Sequence, residues 1–287
     1  MTRSLLLIDG HSSFYRAVFS PGPRLTSPSG EPTNGTYIYM RLLLALLRER
    51  RPTHVAVAID GSRGALVRRM MWKGYKATRV HRPDDGLEVQ TQLRRMVELT
   101  RLLGLTIISS PGWEADDVLA TLVRRFHRLV DRTEVVTRDR DLHQLVSDRK
   151  RVNLYDPQGD VVTREADVEK QWGVPVSQVV EVKTLFGDRG DGVPGVGGIG
   201  IKTATALIQR FGTVEQTQAS ASLLPKAVGR AILRADLKWC RALVALNADA
   251  PLHPEPDDVE ALAFTGPNLQ AAAPLFKILG FRRSAAE

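Results

Sequence analysis

Asp9 closes the apolar run LLLI, Asp60 closes VAVAI, and Asp139 follows EVVTR, with Asp141 two residues on. A fourth apolar run, LTIISS, is followed after PGW by EADD, which supplies Glu114, Asp116 and Asp117. Asp188 and Asp191 stand in GDRGDG, directly ahead of a glycine-rich turn. Singly, each acid reads as a helix N-cap or a first-turn residue, favoured by the helix dipole for about 0.3–1 kcal/mol. Gathered at one edge, these carboxylates would repel and raise one another's pKa values unless cations neutralised them. Hard oxygen donors, with Cys240 the lone cysteine and no obvious histidine cluster, point to Mg2+ or Mn2+ and away from zinc. A pair of such ions about 3.5–4 Å apart would activate a water and stabilise the leaving oxygen in phosphodiester hydrolysis.

The glycines after Asp191 invite two nucleotide-binding readings, and both fall short. Gly195, Gly197 and Gly200 satisfy G-x-G-x-x-G, but Pro194 precedes them where a strand is required. The P-loop spacing needs lysine where Ile201 stands, and Lys202 comes one residue late. What remains is a hairpin opening a helix, whose free backbone N–H groups and positive dipole end suit an anionic oxygen. A tight connection between two packed helices fits the same residues.

The elements that must position these groups follow from periodicity. Strands are predicted at 4–9, 53–60, 105–110, 134–139 and 151–156, and helices at 35–51, 64–103 and 114–130. Strand and helix in alternation imply an α/β fold with a parallel sheet covered on both faces, whose working residues collect at the carboxyl ends of the strands. From about 176 the pattern becomes helical, through VSQVVEVKTLFG, KTATALIQRFG and helices near 223–247, to a closing helix at 268–279.

With 287 residues and 43% hydrophobic content, the chain can bury a substantial core. A formal charge of +8 favours a polyanionic partner. No segment has the apolar length of a membrane span, and MTRSLLLIDG turns acidic too early for a signal peptide, so a cytoplasmic protein without a membrane partner is expected. Within 63–95, RGALVRRMMWKGYKATRVHR interleaves cations with Trp72 and Tyr75, a pattern suited to single-stranded nucleic acid because cations meet phosphates while rings stack on bases. A solvated amphipathic helix with Trp72 tucked into the core is the plainer reading of the same stretch.

LLLIDGHSSFYR, VAVAID, GYKATR, PGWEADDVLATL, TRDRDLHQLV and GDRGDGVPGVGGIGIKTATALIQRFG together resemble the 5′-nuclease family, the 5′–3′ exonuclease domain of bacterial DNA polymerase I and its flap endonuclease relatives. The resemblance runs in order over most of the chain. It implies a PIN-like nuclease domain at 1–174 with a helical arch at about 63–95, and a C-terminal helical domain at 175–287 with a helix-hairpin-helix-type DNA-binding motif at about 187–212. Asp9, Asp60, Glu114 and Asp116, with Asp117 beside them, match acids around a first metal; Asp139, Asp141, Asp188 and Asp191 match those around a second. Lys76, Arg79 and Arg16 match basic residues that contact the scissile phosphate. Arg68, Arg69, Lys73 and Tyr75 are then strand contacts of the arch. Gly195, Val196, Gly197, Gly198, Ile199, Gly200, Lys202 and Thr203 would hold duplex backbone, with K+ bound in the hairpin. His11 and His81 read as surface or hydrogen-bonded histidines.

The resemblance further implies a stand-alone, monomeric bacterial enzyme associated with the nucleoid. It would cut DNA at 5′ flaps, nicks and single-strand/duplex junctions, and remove RNA primers, in replication and repair. Relatives carry Ser and Asn where this chain has Gly190 and Gly192, which implies a looser second-metal loop. Arg189, a cation beside Asp188, reads as a phosphate contact.

Overall fold

The computed structural model describes residues 2–22, 24–62, 65–77 and 86–281. Strand β1 (Ser4–Asp9) is buried along its whole length, which explains why its sequence is an unbroken apolar run and not an alternation. The chain continues through α1 (Gly10–Val18), α2 (Asn34–Arg50), β2 (His54–Ala58), α3 (Leu66–Met71), α4 (Leu87–Leu102), β3 (Thr106–Ile108) and α5 (Ala115–Phe126). Then come β4 (Arg132–Val136), β5 (Val152–Asp156), β6 (Val161–Thr163) and α6 (Glu165–Trp172). The sheet has the order β3-β2-β1-β4-β5-β6, with β1 to β5 parallel and β6 antiparallel to β5. Strand order therefore reverses between β1 and β4. A crevice opens at such a reversal, outside the carboxyl ends of the strands.

Alternate residues of the strands feed two cores. Leu5, Leu7, Ala56 and Ala58 pack with Val118, Leu119 and Leu122 of α5, whereas Leu6, Ile8, Val55 and Val57 pack with Phe14, Leu43, Met96 and Leu99 of α1, α2 and α4. A third core belongs to the helical unit of α7 (Val179–Phe186), α8 (Ile201–Phe211), α9 (Val214–Ala219), α10 (Lys226–Arg234) and α11 (Leu237–Val244). Its centre is Val182, Leu185, Val196, Ile199, Leu207, Ile208 and Ile232.

Three features differ from the sequence-based expectation. The region expected as one helix over 64–103 holds two, α3 and α4, and residues 78–85 between them lie outside the described residues. Strand β6 and helix α6 have no counterpart in the reading, because a three-residue, partly exposed edge strand carries almost no apolar signal. The expected 175–287 unit does not pack as one body. Beyond α11 the chain returns to the sheet: Leu252, Val259 and Leu262 join the α5-side core, and Ala272, Leu275 and Phe276 of α12 (Leu269–Ile278) join the opposite one. Backbone hydrogen bonds fix this return, between Ser109 and His253 in both directions and from Phe264 N–H to the Thr53 carbonyl. No described helix is long and apolar enough to cross a membrane.

Candidate metal centre and nucleic-acid interface

Asp9 ends the central strand and caps α1, accepting from the Ser12 backbone N–H at 3.0 Å and from the Thr137 hydroxyl at 2.9 Å. Burial, reinforced by the charge of Asp139, pushes its carboxyl up to about 6 despite those two hydrogen bonds. Asp116, in the first turn of α5, is raised well above the ordinary value, first by burial and then by Asp9, Asp139 and Asp141. Four acids from three separated segments thus press on one another at the β1–β4 reversal. Asp139 caps the 3-10 turn after β4 and accepts from the Asp141 N–H at 2.9 Å. Asp60 accepts from the Ala115 N–H at 2.9 Å, with His11 Nε2 3.3 Å from its other oxygen. Arg16, on α1, donates to the Ser12 hydroxyl at 3.1 Å.

Glu114 and Asp117, neighbours of Asp116 in sequence, lie in a different environment. They form the capping box of α5. Asp117 has no solvent exposure; it accepts both guanidinium arms of Arg68, at 2.6 and 2.7 Å, and the Asn247 N–H at 2.8 Å. Its oxygens are committed to structure, which corrects its expected place beside the metal acids. Arg68 is corrected with it: the residue is 5% exposed, donates to the Leu243 and Ala245 carbonyls, and touches Glu114 at 3.1 Å, so it presents nothing to a passing strand. The cause is packing, since α3 meets the start of α5 with Arg68 turned inward onto Glu114 and Asp117 while Arg69 faces solvent.

Tyr75 is the third correction. Only 3% exposed, it has no face for a base, and its hydroxyl donates to Glu114 at 2.7 Å and lies 3.1 Å from Asp191. Lys76 joins the same cluster, ion-paired with Glu114 and 3.7 Å from Asp191. Its backbone sits in the left-handed region at φ 50°, held by its N–H donating to the Asp191 carbonyl at 2.8 Å. Burial alone would push the Glu114 carboxyl up, but Lys76, Tyr75 and Arg68 outweigh it and leave the group below its ordinary value. Trp72, expected in the core, is instead partly exposed: its Nε1 donates to the Gly192 carbonyl at 2.9 Å and its ring meets Trp239 edge-on. Lys73 and Arg69 are exposed; Arg79 and His81 lie outside the described residues.

Asp141, Asp188 and Asp191 form the closest acidic group among the described residues, with ligand oxygens all within 4.8 Å of one another. Asp188 and Val193 exchange backbone hydrogen bonds at 2.8 and 2.7 Å, closing a tight loop that turns Asp191 back, so that its N–H donates to the Asp188 carboxylate at 3.1 Å. Gly192 has φ 71°, and a Cβ there would meet the Gly74 carbonyl at 2.5 Å. Close approach of Gly74 thus accounts for glycine here, and Trp72 ties the loop at the Gly192 carbonyl. Lys183 escaped the sequence reading altogether. It lies in the middle of α7, 2% exposed, with Nζ 2.5 Å from Asp141 and 3.0 Å from Asp188. A charged residue inside the apolar run VVEVKTLF was the available signal.

The hairpin follows this loop. Gly195 has φ 61° and a Cβ would meet Gly187 N at 2.4 Å, so the two ends of the loop touch through glycine. Val196 and Ile199 turn their side chains into the helical core, while Gly197, Gly198, Gly200, Lys202 and Thr203 are exposed at the start of α8. Among the hairpin residues, Val196 and Ile199 can therefore offer a ligand only backbone groups. Gly200 caps α8 without a side-chain bond, which leaves backbone N–H groups directed outward beside Lys202.

All-oxygen donors, acids raised first by burial and then by one another, and a trio of carboxylates within ion-binding reach fit hard divalent cations. Residues 4–173 match the 5′–3′ exonuclease N-terminal, resolvase-like domain, and residues 174–268 its C-terminal SAM fold. The chain belongs to the 5′–3′ exonuclease family. It is 31% identical over 258 residues to a 5′–3′ exonuclease of Aquifex aeolicus, covering 90% of this chain and 86% of that one. It is 34% identical over 289 residues to DNA polymerase I of Bacillus caldotenax, covering 98% of this chain and 32% of the relative, so it spans about a third of such polymerases. Among solved structures, T5 5′-exonuclease with bound divalent zinc ions superposes with TM-score 0.72 at 22% identity, covering 96% of this chain and all of that one. The catalytic core of Rad2 in complex with a DNA substrate superposes with TM-score 0.64 at 14% identity, covering 99% and 89%. At these identities the likeness bears on the fold.

Proposed function

We propose that the chain is a divalent-metal-dependent, structure-specific 5′ nuclease that hydrolyses DNA phosphodiesters at 5′ flaps, nicks and junctions, and removes RNA primers during replication and repair. The observation that carries this reading is the convergence of Asp9, Asp116, Asp139 and Asp141 at the sheet's reversal point, with Asp188 and Asp191 supplied by the segment that opens the glycine hairpin. One stretch of chain, 187–203, thereby links grip to cleavage.

Asp9, Asp60, Glu114 and Asp116 would hold one Mg2+ or Mn2+, and Asp139, Asp141, Asp188 and Asp191 another. When bound, such ions supply charge neutralisation at the phosphodiester and a lowered pKa for an attacking water. The chain's own groups do the rest. Lys76, fixed over Glu114 and Asp191 by its left-handed backbone, stands ready to exchange a carboxylate for a phosphate oxygen as charge develops there, with Arg16 on the adjacent helix and Arg79 completing the phosphate contacts. Arg69 and Lys73 face solvent on the arch base, where they can follow a single strand, and Arg189 can reach a phosphate next to the cut. The exposed N–H groups at Gly197, Gly198 and Gly200, with Lys202 and Thr203, form a cradle for duplex phosphates that also suits K+ through the hairpin carbonyls.

A labelled 5′-flap duplex incubated with Mg2+ tests the reading. Cleavage near the junction is expected, with loss of at least about a thousandfold in Asp116→Ala, the order of removing a group that acts on developing charge. Binding without cutting would make the protein a DNA-structure binder. Faster hydrolysis of single-stranded RNA than of the flap would make it a ribonuclease of the same sheet architecture.

A further inference from the structure

We propose that the Lys183 ammonium is a built-in cation of the Asp141–Asp188–Asp191 cluster, holding the carboxylates together when no divalent ion is present and competing with such an ion for them. This rests on the metal-centre reading above. Three observations carry it. Lys183 is almost completely buried, in the middle of an apolar helix, where an ammonium persists only if its charge is matched. Its Nζ is within 3.0 Å of both Asp141 and Asp188, two of the three members of the only such trio found among the described residues. And the trio is assembled from a 3-10 turn and a glycine loop, not from strand ends, so backbone rigidity alone does not hold its three like charges together.

The charge count explains the competition. With the Lys76 ammonium matched by Glu114, the three carboxylates and Lys183 leave two net negative charges, which one divalent ion neutralises; without Lys183 a divalent ion meets three. An ion seated on Asp141 and Asp188 therefore feels a repulsive unit charge a few ångströms away, enough to weaken binding by about tenfold or more at the effective dielectric of a partly buried site. Lys183 is thus a positioning residue that trades ion affinity for a preassembled loop. With Lys183 in place the site fills late and releases readily.

Titration of Mn2+ into the DNA-free protein, with free ion followed by electron paramagnetic resonance and melting curves recorded in parallel, tests this on the wild type, Lys183→Met and Lys183→Arg. Lys183→Met is expected to bind its weaker Mn2+ about tenfold more tightly, to melt at a lower temperature without the ion, and to gain more from adding it than the wild type does. Lys183→Arg, which keeps the charge, is expected to behave as the wild type. A folded Met variant that binds Mn2+ no more tightly than the wild type overturns the proposal. Should that variant fail to fold, Lys183→Gln, with a polar group for the two carboxylates, carries the same pair of outcomes. If the wild type itself takes up no Mn2+, the metal-centre reading falls and this inference with it; if it does and neither neutral variant gains affinity, this inference alone falls.

Discussion

The two halves of the acidic edge face the same electrostatic problem, and only one of them contains a buried ammonium. Asp9 at the end of β1 and Asp116, half-buried in the first turn of α5, lie among other carboxylates and their pKa values rise. In the loop half the outcome is split: at Asp188 the Lys183 ammonium outweighs burial and the carboxyl ends below its ordinary range, whereas at Asp141 burial still outweighs Lys183 and the carboxyl is raised. The difference follows from what holds each group. β1 and the first turn of α5 are locked by sheet hydrogen bonds and a capping box, and can impose repulsion on their side chains. The 188–193 loop has one short backbone bridge and carries its own countercharge instead. Glu114 and Asp117 form a third case, diverted from repulsion into an ion-paired network by Arg68 and Lys76.

The largest effect is expected where that network is cut. Arg68→Ala leaves Asp117 buried and charged without its bidentate partner and frees the Leu243 and Ala245 carbonyls, a loss of about 3–5 kcal/mol in urea unfolding. A loss below about 1 kcal/mol would show the pair to be dispensable. Next comes Asp9→Asn in the metal-free protein. Asp9 in the folded chain holds its proton up to about 6, against 3.8 ordinarily, so above pH 6 the folded state bears a buried charge that the unfolded state solvates. That penalty is full at pH 8 and gone only below about pH 3. The Asn variant should therefore be more stable than wild type by on the order of 2 kcal/mol at pH 8 and equal to it near about pH 3. Equal stabilities at pH 8 would mean that the strand-end acids are not under strain. Smallest is the pH dependence of ion uptake: because Asp9 must lose its proton to coordinate, Mn2+ affinity is expected to fall by about tenfold per pH unit below pH 6. A flat profile between pH 5 and 7 would place the ion elsewhere.

Much of this site was legible in the sequence because parallel strands advertise themselves. An apolar run leading into aspartate marks a strand and its exit: β1 ends on Asp9 itself, while β2 and β4 stop at Ala58 and Val136, short of Asp60 and Asp139 that were expected to end them. The helical assignments at 35–51 and 268–279 differ from α2 and α12 by one residue at each end. What was illegible is orientation within a short helix. Arg68 and Arg69 are the same residue type side by side, and nothing in their spacing tells which one turns into the protein. Tyr75 read as an exposed ring because aromatic residues among cations look alike whether they face a base or a carboxylate. Lys183 lay hidden because its partners are 42 and five positions away, on elements whose approach depends on how the helical unit meets the sheet.

That meeting has a mechanical consequence. Residues 250–281 are woven back into both faces of the sheet, so the hairpin-bearing helices are clamped at each end by the nuclease body, more like a handle than a pendant on a string. A load on α8 passes first to α7, which packs against both α8 and α11 and carries the ammonium that meets Asp141 and Asp188.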